Sequence, residues 1–204
     1  MPIKSENRNP PFNITRLSHV VLSSKDLDKT RYFYETGLGL EVTFQDKNNL
    51  YLRCLEEPWN HSLIFQKHEG PACCFKIGYR VFDEDDLNKA KDFFDQKEIP
   101  CKFSKRQFQG NTIELDDIAG VPLEFCATMD QKEPLMRKFD QHTGGRCAFL
   151  DHIQISTHDV QSAFDWYSEL GFRLTEYTAA DGTDELWGVW LKRKYNTQDM
   201  VYSN

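Results

Sequence analysis

The chain states one pattern twice. Arg16-Leu17-Ser18-His19-Val20-Val21-Leu22 returns as Phe149-Leu150-Asp151-His152-Ile153-Gln154-Ile155. Each copy runs on into an Asp-led helical stretch, then an aromatic pair (Phe33-Tyr34; Trp166-Tyr167), then Leu38-Gly39-Leu40 or Leu170-Gly171-Phe172. The histidines are 133 residues apart and the Leu-Gly pairs 132, so the register holds within one residue. A repeat of this length marks a duplicated structural unit, and one copy can be read against the other.

The periodicities give the unit its shape. Residues 16–23 alternate as a strand, and Ser24 or Asp26 can cap a helix carrying Leu27, Tyr32, Phe33 and Tyr34. Strands are predicted at 40–45, 49–55 and 61–67. The order then restarts: a strand from Phe75 to Phe82, a helix from Asp85 with Leu87, Ala90, Phe93 and Phe94 inward, and strands at 101–108, 111–116 and 121–127. The division that follows is an N-terminal arm at 1–14, a βαβββ pair at 15–128, a linker at 129–147 and a third βαβββ module at 148–204. Small modules of this kind leave a sheet face bare, which a second module would bury. Three is an awkward number: either the third pairs with another chain or a fourth has been lost.

Composition narrows the partners. With 39% hydrophobic and 13% aromatic residues the chain can fill real cores, and a net charge of −7 disfavours nucleic acid and anionic membrane. No apolar run approaches the ~18–20 residues of a membrane span. The polar start lacks the apolar centre of a secretory signal, so the expected compartment is the cytoplasm. Cysteines 54, 73, 74, 101, 126 and 147 form no Cys-x-x-Cys pair and read as reduced, mostly buried thiols. The acidic run Asp83-Glu84-Asp85-Asp86 suits a helix N-terminus better than a cation site.

Leu150-Asp151-His152, Asp159-Val160, Trp166-Tyr167, Leu170-Gly171-Phe172 and Trp190-Leu191-Lys192-Arg193-Lys194 together resemble the type I extradiol catechol dioxygenases. That group includes the metapyrocatechases (catechol 2,3-dioxygenases) and lies within the vicinal oxygen chelate, or glyoxalase/bleomycin resistance, superfamily. The resemblance implies an α+β fold of tandem βαβββ modules: a metal-free N-terminal pair and part of a catalytic domain. It also implies a homo-oligomer that cleaves a catechol with O2 at Fe(II), or alternatively Mn(II), in the breakdown of aromatic compounds. In this family two His and one Glu hold the ion and leave positions open for the catechol oxygens and O2.

Carried over residue by residue, His152 takes the place of the first histidine ligand. A lone histidine is more often a core or turn residue, and the resemblance is what singles this one out. In the first half the corresponding ligand positions are His19, Lys76 and Glu124. An ammonium offers no lone pair, so the first half reads as a scaffold in which Lys76 pairs with Glu124. The same separations counted from His152 run past Asn204, so the chain is expected to lack two of three ligands and, alone, to be inactive. Gln198 stands where many relatives carry an acid–base histidine, and His61 is its counterpart in the first half. Glutamine can hydrogen-bond oxygen but exchanges no protons near neutral pH. Gln154 matches a hydrogen-bonding Asn of some relatives, and Trp190 an aromatic wall of the substrate pocket. The alternatives are a non-catalytic small-molecule-binding member of the superfamily and a glyoxalase-like isomerase. Lys76 argues against a glyoxalase-type site in residues 16–127.

Overall fold

The computed structural model describes residues 3, 5–194 and 196–204. The first module runs β1 (Ile14–Ser24), α1 (Leu27–Arg31), β2 (Glu41–Gln45), β3 (Asn49–Arg53) and β4 (Leu63–Lys67). The second runs β5 (Cys74–Val81), α2 (Glu84–Gln96), β6 (Cys101–Lys105), β7 (Asn111–Asp116) and β8 (Pro122–Cys126). The third runs β9 (Ile153–Ser156), α3 (Val160–Glu169), β10 (Arg173–Ala179), β11 (Leu186–Lys192) and β12 (Met200–Ser203).

Each module repeats the same local chemistry. Asp26, Asp83 and Asp159 cap the three helices, each accepting from the backbone N–H three residues on. Glu84, Asp85 and Asp86 fill the first turn of α2, where the helix dipole favours them. Gly39 and Gly171 follow the first and third helices at φ +78° and +80°, a region that an L side chain enters only with strain. Leu87, Ala90 and Phe94 of α2 are buried as their spacing predicts. The first helix departs from prediction. After one turn it widens into a π-helical stretch over Tyr32–Gly37, leaving Tyr32 and Phe33 exposed and only Leu27 of the expected apolar set buried.

The first two modules pair, as expected, and they do so through a strand joint. The first two share an eight-stranded sheet, β2-β3-β4-β1-β5-β8-β7-β6, joined edge to edge where β1 and β5 pair antiparallel. The third forms a separate sheet, β10-β11-β12-β9, in the order of the first module's half. Edge pairing satisfies backbone groups directly, which face-to-face stacking does not.

One core spans both sheets. Phe94 of α2 stacks on Trp166 of α3 at 6.3 Å, and Val160, Ala163, Phe164 and Tyr167 enter the same cluster as Leu87, Ala90 and Phe125. Burying a large side chain there is worth ~1.5–3 kcal/mol. Phe12 and Ile14 are also in this core, Phe12 packing edge-on against Phe94 and Phe125, so the end of the supposed arm is structural. A polar seam ties the third module down. Asp117 accepts from the Tyr167 hydroxyl (3.0 Å) and from Tyr202, and buried Asp199 accepts from the backbone N–H groups of Leu17 (2.8 Å) and Arg193 (2.7 Å). Of the cysteines, Cys54 and Cys126 are buried, but Cys73 and Cys74 are exposed, contrary to a mostly buried set. Both flank the start of β5, at the rim of the sheet rather than its core.

Candidate functional site

His19 on β1 lies fully buried inside the first sheet, with Nε2 2.5 Å from Glu124 Oε1 on β8. Arg106, beyond β6, forks onto the same carboxylate through Nε (3.0 Å) and Nη2 (2.8 Å). Gln109 donates to Glu124 (3.2 Å), and its Oε1 lies 2.8 Å from His61 Nε2. Burial works against ionisation of Glu124, but the His19 ring and the Arg106 guanidinium outweigh it and hold the carboxyl well below its usual range. For His61 burial dominates, helped by the neighbouring His19 and Arg106, and pushes it down to about 3. Val21, Tyr51, Ile64, Phe44, Phe75 and Phe108 pack over the network. The space is filled and its charges are paired.

The expected Lys76–Glu124 pair does not form. Lys76 reaches Glu114 instead, at 3.1 Å. The residue level with His19 and Glu124 across the strands is Gly78, which pairs with both. A Cβ on Gly78 would stand 2.1 Å from the His19 ring, so the position is open only to let that ring in. Lys76 lies two residues away along β5, opposite Val21.

Cross-strand register carries the comparison into the third module. Val21, Ile64, Tyr51 and Phe44 form one row across β1, β4, β3 and β2. The matching row across β9, β12, β11 and β10 is Gln154, Val201, Trp190 and Glu176. Paired residues point to the same face of a sheet. Gln154 and Trp190 are therefore brought onto one face, in the places that Val21 and Tyr51 fill with apolar packing in the first sheet. Gln154 donates to Ser203 Oγ at 3.0 Å, and Trp190 is half-buried. His152 immediately precedes β9, its side chain 38% exposed and its Nδ1 2.7 Å from Asp151. Gln198 lies just before β12, half-buried and in the register position of His61, with no hydrogen bond to the other three.

Two kinds of residue escaped the sequence reading. Arg106 and Gln109 come from a loop, where no periodicity marks them. Asn196 donates to the carbonyls of Asp151 (2.6 Å) and Leu150 (3.3 Å), tying down the segment that presents His152, while its own buried Oδ1 has no protein partner. Its proximity to Gln198 was the available signal.

A three-ligand ion needs three donor side chains within reach of one point. His152 offers one imidazole, Gln154 and Gln198 are neutral amides, and no group of three or more His, Cys, Asp or Glu side chains gathers among the described residues. Those residues by themselves do not fit such a centre.

Residues 16–125 and 149–197 match the family described as the Glyoxalase/Bleomycin resistance protein/Dioxygenase superfamily. The chain is 36% identical over 198 residues to a metapyrocatechase of Geobacillus stearothermophilus, covering 90% of this chain and 59% of the relative. Among solved structures, a mutant of homoprotocatechuate 2,3-dioxygenase from Brevibacterium fuscum superposes with a TM-score of 0.88 at 30% identity, over 98% of this chain and 56% of that one. The anaerobic complex of the same dioxygenase with 3,4-dihydroxyphenylacetate gives 0.89 at 29% identity, covering 98% and 63%. The chain thus spans a little over half the length of these relatives. A match over most of its residues, carried by all three modules, shows that it belongs to the Glyoxalase/Bleomycin resistance protein/Dioxygenase superfamily.

Proposed function

We propose that the chain forms the scaffold pair and the substrate-facing module of an extradiol dioxygenase. The reaction is cleavage of a catechol ring beside the diol, with both atoms of O2 entering the product and no external reductant. The observation that carries this reading is the contrast between the matching rows. The first sheet fills its face with Val21, Ile64, Tyr51 and Phe44 and closes it with the Glu124 ion pairs, whereas the third module presents His152, Gln154 and Trp190 on an open one. The similarity to the metapyrocatechase supports the ring-cleavage chemistry.

In this reading Trp190 stacks against the flat substrate ring. Gln154 and Gln198 donate hydrogen bonds to oxygen atoms of the substrate or of O2 without exchanging protons. His152 is the one ligand for Fe(II), or Mn(II), that the described residues supply, and its further donors lie outside them. The closed first half argues against a glyoxalase-type isomerase, whose site would draw ligands from both halves of a module pair. A catecholic substrate, homo-oligomeric assembly and a cytoplasmic setting complete the proposal. No helix among the described residues is long and apolar enough to cross a membrane.

The test is a chimera joining the chain to the part of the Geobacillus metapyrocatechase that it does not match. Supplied with Fe(II) and catechol, it should yield the yellow ring-fission product and hold about one iron per chain. The 204-residue chain alone should hold far less iron and give none. His152→Ala in the chimera should abolish both. Undiminished cleavage after that substitution, or an iron-loaded chimera that binds catechol without turnover, would refute the assignment.

A further inference from the structure

The N-terminal arm meets the third module along a cleft that the ring-cleavage reading does not use. Arm residues between Glu6 and Asn13, the turn after α3 and the segment after β11 enclose a cavity of about 470 Å³. Its charged lining is one-sided. Arg8, Arg173, Arg193 and Lys194 face it, against Glu6 as the one carboxylate among the described residues. The chain as a whole carries a net charge of −7, so this local excess of cations runs against the overall balance. Gathered like charges repel, and an opposite charge placed among them relieves the repulsion.

Neutral groups hold these cations in place without cancelling them. Arg193 is 5% exposed, and it donates through Nε to the carbonyl of Ile14 (2.9 Å) and through Nη1 to that of Gly171. Arg173 Nη2 donates to the Arg193 carbonyl at 3.0 Å, which sets a second guanidinium beside the first. The Lys194 ammonium donates to the amide oxygen of Asn13. Arg8 reaches Glu6 at 3.7 Å, in an ion pair open to solvent. Burial and then the neighbouring Arg173 push Arg193 down to about 10, and the attraction of Asp199 does not outweigh them.

We propose that this cavity binds a compact anion of the phosphate class, either free or as the ester of a small molecule. Four cations against one carboxylate leave an excess of three, more than a monovalent ion cancels. Guanidinium groups present planar forks of N–H donors that match the oxygens of a tetrahedral oxyanion. The volume lies within the ~300–1,000 Å³ of small-molecule sites and leaves room beside a phosphate for the group that carries it. The lining residues belong to the arm and to the β10–β11 side of the third sheet, and none belongs to β9. The inference concerns a second ligand and stands apart from the ring-cleavage reading.

Titration calorimetry and thermal unfolding of the full chain test it, with inorganic phosphate and phenyl phosphate as probes and sodium chloride at matched ionic strength as reference. One phosphate should bind per chain, saturably, and raise the melting temperature beyond the chloride reference. Tighter binding of phenyl phosphate identifies an ester as the ligand, and equal or weaker binding identifies the free anion. Arg173→Gln combined with Lys194→Gln should weaken binding at least about tenfold. Arg8→Gln changes the arm alone and should weaken it about threefold, so it decides the matter should the double variant fail to fold. Glu6→Gln removes the opposing charge and should tighten binding about twofold, which no loss of structure would do. Phosphate effects no larger than those of chloride overturn the proposal. Saturable binding that all these substitutions leave unchanged overturns it equally, because the anion then sits elsewhere.

Discussion

His61→Gln should remove much of the acid sensitivity of the fold. His61 is 1% exposed and wedged edge-on between the rings of His19 and Tyr51, its Nε2 held by Gln109. Burial, with the nearby His19 and Arg106, lowers it from 6.5 to about 3. The folded protein therefore keeps this ring neutral at pH values where the unfolded chain protonates it. Because the unfolded state binds more protons, stability is fully present above 6.5 and is lost as pH falls toward 3. For a displacement of roughly 3.5 units the full loss approaches about 5 kcal/mol, of which about 2 kcal/mol falls between pH 7 and pH 5. Glutamine has an amide to offer Gln109 and nothing to titrate. Urea unfolding at pH 7, 6 and 5 should show the parent losing about 2 kcal/mol more than His61→Gln across the range. Glu57 and Asp199, which burial shifts upward, titrate in both proteins and cancel in the difference. The contribution of Glu124 lies above its unfolded value of 4.5 and is lost only as pH falls below it, outside this window. Parallel stability curves for the two proteins, within about 0.5 kcal/mol, would show that the native state protonates His61 as readily as the unfolded chain does and refute the reasoning.

Two further substitutions probe the packing around the same elements. Gly78→Ala puts a methyl 2.1 Å from the His19 ring, which Ser18 and Glu124 hold in place, and should cost ~1–3 kcal/mol in urea unfolding. Asp117→Ala strips the acceptor from two buried tyrosine hydroxyls and from the backbone N–H groups of Ala119 and Val121, and should cost at least ~3 kcal/mol. Measured beside Tyr202→Phe, its effect should fall short of additive, because both remove the same contact between the third module and the first pair.

The repeat made the fold legible. Three Asp-capped helices, each after a strand and before three more, determine βαβββ modules, and cross-strand pairing keeps His152, Gln198 and Trp190 at the register positions of His19, His61 and Tyr51. What the motifs could not deliver was position across a strand joint. The resemblance pointed to Lys76, whereas the pairing puts Gly78, two residues along the same strand, level with His19 and Glu124. Arg106 and Gln109 were invisible for another reason. They reach Glu124 from an irregular segment whose path is decided by packing and leaves no mark in local periodicity. The inward face of the first helix was misread because Tyr32 and Phe33 are large and aromatic, yet the widened turn faces them to solvent.

The paired histidines show why a local motif underdetermines its chemistry. His19 and His152 sit in similar sequence, one on β1 and the other immediately before its counterpart β9, with matching neighbours on one side. What differs is the other edge. Beside β1 lies β5, whose glycine at position 78 receives the ring, and beyond it β8 brings Glu124 into contact. Beside β9 no strand is paired among the described residues, and the imidazole stays partly exposed with only Asp151 at its Nδ1. An imidazole buried against a carboxylate that a guanidinium also claims has no lone pair to spare for a ligand. One at an open edge keeps its Nε2 available to whatever covers that edge. The occupant of the β9 edge therefore decides whether the third module becomes a second plugged scaffold or a working site.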